Sequence, residues 1–209
     1  MIAHGVHRLC RTIAFVPVEP IARNPPDASR TVLVTGAARR LGREIALHFA
    51  RAGWDVVAHY GRSRADAEYL QAEVQQIGRA CHLVQADLAH DQDAARVLQA
   101  ARKEAGAWPE CIVNNASIFE PDEGLSASAQ GLLRNFSINT VTPLLLASGL
   151  AATLAETGKP TGGRHSVVHV LDQKVHNLNP DYFSYTVSKL ALAQGVALQA
   201  QALAPWVRV

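Results

Sequence analysis

Strand-length apolar segments alternate with helix-length amphipathic segments from residue 31 to the end of the 209-residue chain. The predicted strands are 31–35, 54–60, 80–87, 110–116, 165–172 and 206–209, and the predicted helices are 41–53, 64–77, 91–105, 126–157 and 182–203. The strands are nearly continuous in apolar residues, which is typical of a parallel sheet covered on both faces. Because crossovers between parallel strands are right-handed, the pattern predicts an α/β fold with a doubly wound parallel sheet.

This pattern, which is Rossmann-like, predicts a single domain at 30–209. Residues 1–29 differ in composition, with four prolines by residue 26 and few acidic residues, and we expect a disordered N-terminal extension there. The last predicted strand, WVRV at 206–209, stops where the chain stops. We therefore expect a fold that is C-terminally truncated in its sixth strand, as in a fragment of a longer protein.

Composition excludes several function classes. A net charge of +2 gives no reason to expect nucleic acid or a membrane surface as partner, and no apolar run reaches the roughly 18 residues that a spanning helix needs. The three cysteines are far apart and no CxxC or HExxH occurs, so neither a disulfide framework nor a metal site is expected. The sequence predicts a cytoplasmic protein with a small-molecule partner.

The segment TGAARRLG at 35–42 joins the first predicted strand to the first predicted helix. Glycines in such a turn allow the backbone to approach a dinucleotide pyrophosphate, which the free N–H groups of the helix favour. Arg40 stands where a third glycine is usual, and its cation could reach a phosphate or the substrate. We assign Gly36, Arg40, Leu41 and Gly42 to cofactor binding; a plain strand-to-helix turn is the alternative.

The segment HYGRS at 59–63 follows the second predicted strand, where a carboxylate usually binds the ribose hydroxyls of NAD. Arg62 and Ser63 offer a guanidinium and a hydroxyl instead, which suit a 2′-phosphate. We therefore predict NADPH as the cofactor, with His59 and Tyr60 part of the same site. A solvated loop arginine is the alternative.

The segment YTVSK places Tyr185 and Lys189 four residues apart, on one face of the last predicted helix. A nearby ammonium favours phenolate, so we expect Lys189 to lower the pKa of Tyr185 below its usual value of about 10. The pair could then donate a proton near neutral pH. We also assign Tyr185 and Lys189 to cofactor binding, because Lys189 can hydrogen-bond the nicotinamide ribose. Tyrosine–lysine pairs with this spacing are common on helices, so the catalytic interpretation depends on the position of this pair, in the helix that follows the fifth predicted strand.

Taken together, the TGxxxxxG loop, NNA at 114–116, Asn139 and the YxxxK pair resemble the short-chain dehydrogenase/reductase family from about residue 30 onward. The resemblance implies that Asn115 and Ala116 line the cofactor and that Asp87 and Leu88 hold its adenine. It implies that Asn139 fixes a water in a proton relay to Lys189. It also implies a homotetramer, formed through helices 137–157 and 182–203.

Two departures from the family pattern narrow the resemblance. Arg40 replaces a glycine, and Asp172 replaces the usual serine thirteen residues before the tyrosine. With HYGRS and NNASIF, both departures resemble pteridine reductases and bacterial dihydromonapterin reductases. This implies that Asp172 and Tyr185 deliver a proton to a ring nitrogen while NADPH reduces the adjacent carbon. Further residues that the resemblance implies at the pterin are Arg40, Ser117 and Phe119.

Alternatives remain at this stage. Asp172 could cap the turn that follows it, and Phe119 could be an ordinary pocket wall. Asp181 is expected to cap the last helix rather than to act as the acid. The whole chain could instead reduce carbonyl compounds, such as 3-oxoacyl thioesters or ketones, or could bind NADP without catalysis.

Overall fold

Five parallel strands form the sheet of this computed structural model, which describes residues 30–90, 92–158 and 164–209. The strands are β1 (Arg30–Val34), β2 (Trp54–Tyr60), β3 (Cys81–Gln85), β4 (Cys111–Asn114) and β5 (Ser166–His169). They lie in the order β3-β2-β1-β4-β5. The direction of the connections reverses between the adjacent strands β1 and β4, which is where doubly wound sheets bind ligands. The predicted fold class is confirmed.

Within these described ranges, six α-helices accompany the strands: α1 (Arg40–Arg51), α2 (Arg64–Gln76), α3 (Asp93–Ala105), α4 (Ala129–Phe136), α5 (Thr142–Ala155) and α6 (Phe183–Leu203). Alternate residues of β1 enter two different cores, because successive side chains in a strand point to opposite faces. Val32 and Val34 pack with buried residues of α1 and α2. Leu33 packs with buried residues of α3 and α5. The sheet is therefore covered on both sides, as the apolar strands predicted.

The sixth strand is shorter than expected. Residues 206–209 make one parallel bridge, between Ser166 and Arg208, instead of a strand. The Val167 amide donates to the Arg208 carbonyl at 2.7 Å, and the Arg208 amide donates to the His165 carbonyl at 3.1 Å. The segment lies beside β5 in the direction predicted for it. The predicted N-terminal extension, residues 1–29, lies outside the described residues.

The predicted helical region at 126–157 divides differently from expectation. Its longer piece was expected at 137–157, but α4 and α5 are joined by a π-helical turn at Ser137–Val141. A π turn holds an extra residue and is frequent at functional sites. Here it contains Asn139, whose side chain is fully buried. The segment Ala129–Ala155 has the length and hydropathy of a membrane span, but 56% of its most apolar window is buried against the domain.

Candidate active site

Two glycines shape the loop between β1 and α1. Gly36 has a φ of +64°, in the left-handed region that favours glycine. A Cβ on Gly42 would lie 2.2 Å from the Gly36 carbonyl oxygen and 2.5 Å from the Asn115 side-chain nitrogen. The start of α1 is thus packed so closely on the loop that no other residue fits at position 42.

Thr35 ties this loop to the end of β4. Its hydroxyl oxygen accepts hydrogen bonds from the backbone amides of Asn115 and Ala116, both at 3.0 Å. The Asn115 side chain donates to the Thr35 carbonyl at 3.0 Å and to the Gly36 carbonyl at 3.3 Å. Asn115 and Ala116, assigned to the cofactor from the sequence, are therefore held against the glycine loop. Thr35 was missed, although it opens the TGxxxxxG motif.

His59 braces the same loop from β2. Its Nδ1 accepts a hydrogen bond from the Gly36 amide at 3.2 Å, so the ring carries its proton on Nε2, which donates to the Ala86 carbonyl at 3.2 Å. Burial lowers the pKa of His59 to about 4, against weaker opposing effects from Ala86 and nearby carboxylates. A neutral His59 is thus part of the architecture of the loop.

Arg40 adopts a backbone conformation suited to glycine. Its φ is +52°, in the left-handed region, although a side chain makes this region less accessible than it is for the usual glycine. A residue with a Cβ is disfavoured there by about 1–2 kcal/mol. The loop therefore keeps the backbone shape of a glycine loop and places an exposed cation on it.

A cleft of about 750 Å³ opens beside this loop. Eleven of the residues assigned from the sequence line it: Gly36, Arg40, Leu41, Gly42, His59, Arg62, Asp87, Leu88, Asn115, Ala116 and Ser117. Tyr60 and Ser63 do not, because Tyr60 is buried beside Ala38 and Ala67, and Ser63 precedes α2. The lining also does not include the assigned residues around the tyrosine, which are Phe119, Asn139, Asp172, Tyr185 and Lys189. Arg39, Gly61, Arg134 and Ile138 also line the cleft and were missed.

Asp66, the first acidic residue after HYGRS, is already paired with an arginine. Asp66 accepts a hydrogen bond from Arg39 Nε at 2.6 Å. A carboxylate paired with a guanidinium is poorly placed to bind ribose hydroxyls, whereas Arg62 lines the cleft. The pairing therefore agrees with the predicted preference for a phosphorylated ribose. Arg39 could have been found from its place beside Arg40 in the loop.

Tyr185 and Asp172 meet directly at the end of β5. The Tyr185 hydroxyl donates to Asp172 Oδ2 at 2.8 Å, and the Lys174 amide donates to Asp172 Oδ1 at 2.9 Å. The Lys174 bond, aided by Tyr185 and nearby lysine charges, lowers the pKa of Asp172 despite partial burial. Asp172 therefore caps its turn and also contacts the tyrosine, so the two alternatives from the sequence are compatible.

The expected effect of Lys189 on Tyr185 is wrong. Burial raises the pKa of Tyr185, and the hydrogen bond to the Asp172 carboxylate raises it further. The Lys189 ammonium lies 6.0 Å from the Tyr185 ring centroid and donates to the Val170 carbonyl at 2.9 Å. Burial lowers the pKa of Lys189 to about 8, although Asp172 opposes the shift. The phenol is therefore held neutral, as a proton donor must be.

Asn139 connects the π-helical turn to both sides of the site. Its side-chain oxygen accepts from the Ile118 amide at 2.9 Å and the Ser117 hydroxyl at 3.1 Å. Its nitrogen donates to Ser188 Oγ at 3.0 Å, and Ser188 donates to the Tyr185 carbonyl at 2.6 Å. The link to Tyr185 thus runs through Ser188, which was missed. The water relay to Lys189 remains a prediction.

Phe119 lies between two tyrosines. It stacks on Tyr182 with ring centroids 3.8 Å apart and contacts Tyr185 edge-on at 4.6 Å. Tyr182 covers one face of Phe119, whose side chain is still 52% exposed. Phe119 therefore stays accessible although both tyrosines contact it. Tyr182, three residues before Tyr185 in the sequence, was missed.

The start of α6 is capped by a residue from a distant loop. Asp122 Oδ1 accepts from the Ser184 amide at 3.0 Å, and its carbonyl accepts from the Phe183 amide at 3.2 Å. Asp181 was expected to cap this helix and does not, because its carboxylate binds Lys174 instead. Two loops therefore hold the helix that carries Tyr185.

The family model for short chain dehydrogenases matches residues 30–209, which is nearly all of the described chain. The chain belongs to the short chain dehydrogenase family. Members are oxidoreductases that use a nicotinamide dinucleotide, in agreement with the glycine loop and cleft. The resemblance found in the sequence is thus confirmed at the level of the family.

Individual relatives agree with this assignment. A structure of alternative dihydrofolate reductase 1, FolM, from Brucella suis in complex with NADP is 36% identical, with a TM-score of 0.78, covering 86% of this chain and 72% of that one. Pteridine reductase 1 of Leishmania tarentolae is 32% identical over 77% of this chain and 66% of that protein. An NADPH-dependent aldehyde reductase-like chloroplastic protein of Arabidopsis thaliana is 29% identical (85% and 68% covered). The chain spans about two thirds of the length of these two curated relatives.

Proposed function

We propose that the chain is an NADPH-dependent reductase of a pteridine, acting on a C=N bond of a dihydropterin or dihydrofolate type of substrate. The observation that carries the proposal is the hydrogen bond from the Tyr185 hydroxyl to the Asp172 carboxylate. A serine at position 172 would suit a carbonyl oxygen, whereas a carboxylate accepts hydrogen bonds from the several N–H donors of an aminopyrimidine. Relatives named for pteridine and dihydrofolate reduction support the same substrate class.

The residues present fit the cofactor. The close approach of Gly42 to Gly36 leaves no side chain between the backbone and a pyrophosphate, and Arg62 lines the cleft where a 2′-phosphate would need a cation. When bound, NADPH supplies a hydride to the carbon of the C=N bond and becomes NADP⁺. Arg40, Asp87 and Leu88 would contact the cofactor from the other walls of the cleft.

The proton comes from Tyr185. Its raised pKa keeps the proton on the phenol until a substrate nitrogen is close enough to accept it. The nitrogen then gains the hydrogen that completes the N–H bond, and Tyr185 becomes a phenolate that solvent reprotonates. Lys189 offsets that transient negative charge, and Asp172 orients the hydroxyl. Phe119 would stack on the ring and Ser117 would contact its edge.

Turnover of dihydrobiopterin tests the proposal. Loss of NADPH absorbance should follow addition of dihydrobiopterin to the chain, and Tyr185→Phe should lower kcat by about 10²–10⁴-fold. NADH should be the poorer cofactor, and Arg62→Gln should reduce that preference. Absence of pterin turnover by a folded, NADPH-binding chain would show the substrate class to be wrong.

A carbonyl reductase is the second candidate, because one relative is named as an NADPH-dependent aldehyde reductase-like protein. The same assay with acetoacetyl thioester and small aldehydes, run beside dihydrobiopterin, separates the two. A higher kcat/KM for the carbonyl compounds would favour this second function. A chain that binds NADPH but turns over neither class would favour a non-catalytic role.

A further inference from the structure

Lys174 lies at the centre of the loop between Asp172 and α6. It is buried, and its ammonium donates to the Asn179 side chain, to Asp181 Oδ1 at 2.7 Å and to the Asp181 carbonyl at 3.4 Å. These bonds join the beginning of the loop to its end. A charge removed from water needs such partners, so the ammonium is fixed in position.

The same cation holds an aromatic side chain. The Lys174 ammonium lies 5.6 Å from the ring centroid of Tyr182, within the range of a cation–π contact. Tyr182 has a φ of +53°, a conformation that a residue with a side chain keeps only when its surroundings enforce it. The bonds of Lys174 to Asp181, the preceding residue, provide that enforcement.

Two routes then lead from Lys174 to the candidate reaction centre. Through the backbone, its amide fixes the Asp172 carboxylate that accepts from Tyr185. Through the side chain, it holds Tyr182, which stacks on Phe119, and Phe119 contacts Tyr185. Substitution of the side chain removes the second route and leaves the first in place.

We propose that Lys174 is a positioning residue that sets substrate selectivity: by holding Tyr182 against Phe119, it keeps the aromatic wall beside Tyr185 flat and favours a planar heterocycle over a non-planar carbonyl compound. The inference rests on the proposed function, because it takes the exposed part of Phe119 as the place where the substrate ring packs. Lys174 itself does not touch the reacting atoms.

Three variants test the role of Lys174. Lys174→Met removes the charge but keeps much of the side-chain length, and Lys174→Arg keeps a cation. Lys103→Met removes an exposed lysine from α3 as the matched control. Thermal unfolding first establishes that each variant is folded.

Kinetics of the variants should separate positioning from general damage. Lys174→Met should raise KM for dihydrobiopterin about tenfold while kcat and the Kd of NADPH change less than about threefold. The preference for dihydrobiopterin over acetoacetyl thioester should fall by a similar factor, and Lys174→Arg should restore most of it. Unchanged selectivity, or an equal loss of NADPH affinity, would overturn the inference.

Hydrogen exchange gives a result that does not depend on turnover. Backbone amides at 176–183 should exchange about tenfold faster in Lys174→Met than in the wild-type chain, whereas Lys103→Met should leave them unchanged. Equal exchange in all variants would overturn the inference. If the wild-type chain fails to reduce dihydrobiopterin but the variants show this exchange difference, the proposed substrate is wrong, and the positioning of the loop by the Lys174 side chain still holds.

Discussion

The glycine loop at 35–42 and the loop at 172–182 are held by different kinds of contact. Around the glycine loop, almost every bond involves the backbone: Thr35, His59 and Asn115 all bind main-chain groups, and Gly42 leaves no space for a Cβ. The loop at 172–182 is held largely by side chains, through the Lys174–Asp181 ion pair and the stacked rings. A site built on backbone tolerates few substitutions, whereas one built on side chains can change its selectivity one residue at a time.

The largest effect is expected from Gly42→Ala, which tests the glycine loop. The added Cβ would meet the Gly36 carbonyl oxygen at 2.2 Å, so the loop must move and its contacts with Asn115 must break. We expect at least about a thousandfold loss of NADPH affinity, equivalent to about 4 kcal/mol. Fluorescence titration with NADPH measures it. Gly53→Ala is the control for an added methyl group, because nothing lies within 4 Å of its Cβ, although its positive φ carries its own strain.

Lowering the pH should reduce the free energy of unfolding through His59, which braces the same loop. The folded side chain takes up a proton only near pH 4, against 6.5 for the ordinary group, so the unfolded state binds more protons between these values. The contribution of His59 to the free energy of unfolding is therefore complete above about pH 6.5, and up to about 3 kcal/mol of it is lost as the pH approaches 4. Urea unfolding at pH 7.5 and 5 measures the loss. His59→Gln should reduce this pH dependence, whereas His48→Gln, on the exposed face of α1, should not. An equal change of unfolding free energy with pH in the wild-type chain and both variants would contradict the prediction.

A smaller effect, confined to catalysis, is expected from Asp172→Asn in the loop built on side chains. The amide keeps the shape of the carboxylate but loses its charge, so the Tyr185 hydroxyl is less firmly oriented. We expect kcat with dihydrobiopterin to fall about a hundredfold while the Kd of NADPH stays within about twofold. Stopped-flow turnover and NADPH titration measure the two quantities. Equal losses of both would show that the two loops are not independent.

The smallest effect concerns the backbone of Arg40. Because its φ is +52°, Arg40→Gly should be more stable than Arg40→Ala by about 1 kcal/mol, although both lose the cation. Urea unfolding of the two variants gives the difference directly. Both should bind NADPH or substrate more weakly than the wild-type chain. Equal stabilities would show that the left-handed conformation is not maintained in solution.

Much of the glycine loop and its cleft could be predicted from the sequence because its residues lie in short motifs. TGAARRLG follows β1 and HYGRS spans the end of β2, and the parallel sheet brings both strand ends to one edge. Tyr60 and Ser63 were included only because they belong to such a motif. A motif fixes the course of the backbone but does not determine which side chains enter the cleft.

The region around Tyr185 was less predictable because its contacts join loops that are distant in sequence. Asp122 caps α6 across 62 residues, and no local pattern indicates that pairing. The predicted direction of the Tyr185 pKa shift was wrong, because the i, i+4 spacing suggested a charge contact with Lys189 and the prediction left out the burial of the phenol. Lys174 was overlooked because a lysine in a loop is usually solvated.

The π-helical turn at Ser137–Val141 has a consequence for how this site tolerates change in length. Since the turn contains one residue more than an α-helical turn, deleting a single residue there would convert it to regular helix and leave α4 and α5 in nearly the same relative orientation. The change would be confined to the turn itself, where Asn139 would be displaced and its bonds to Ile118 and Ser188 would be lost together. The one additional residue of the π-helical turn thus gives a helix that otherwise only packs in the core a buried amide that connects two sides of the site.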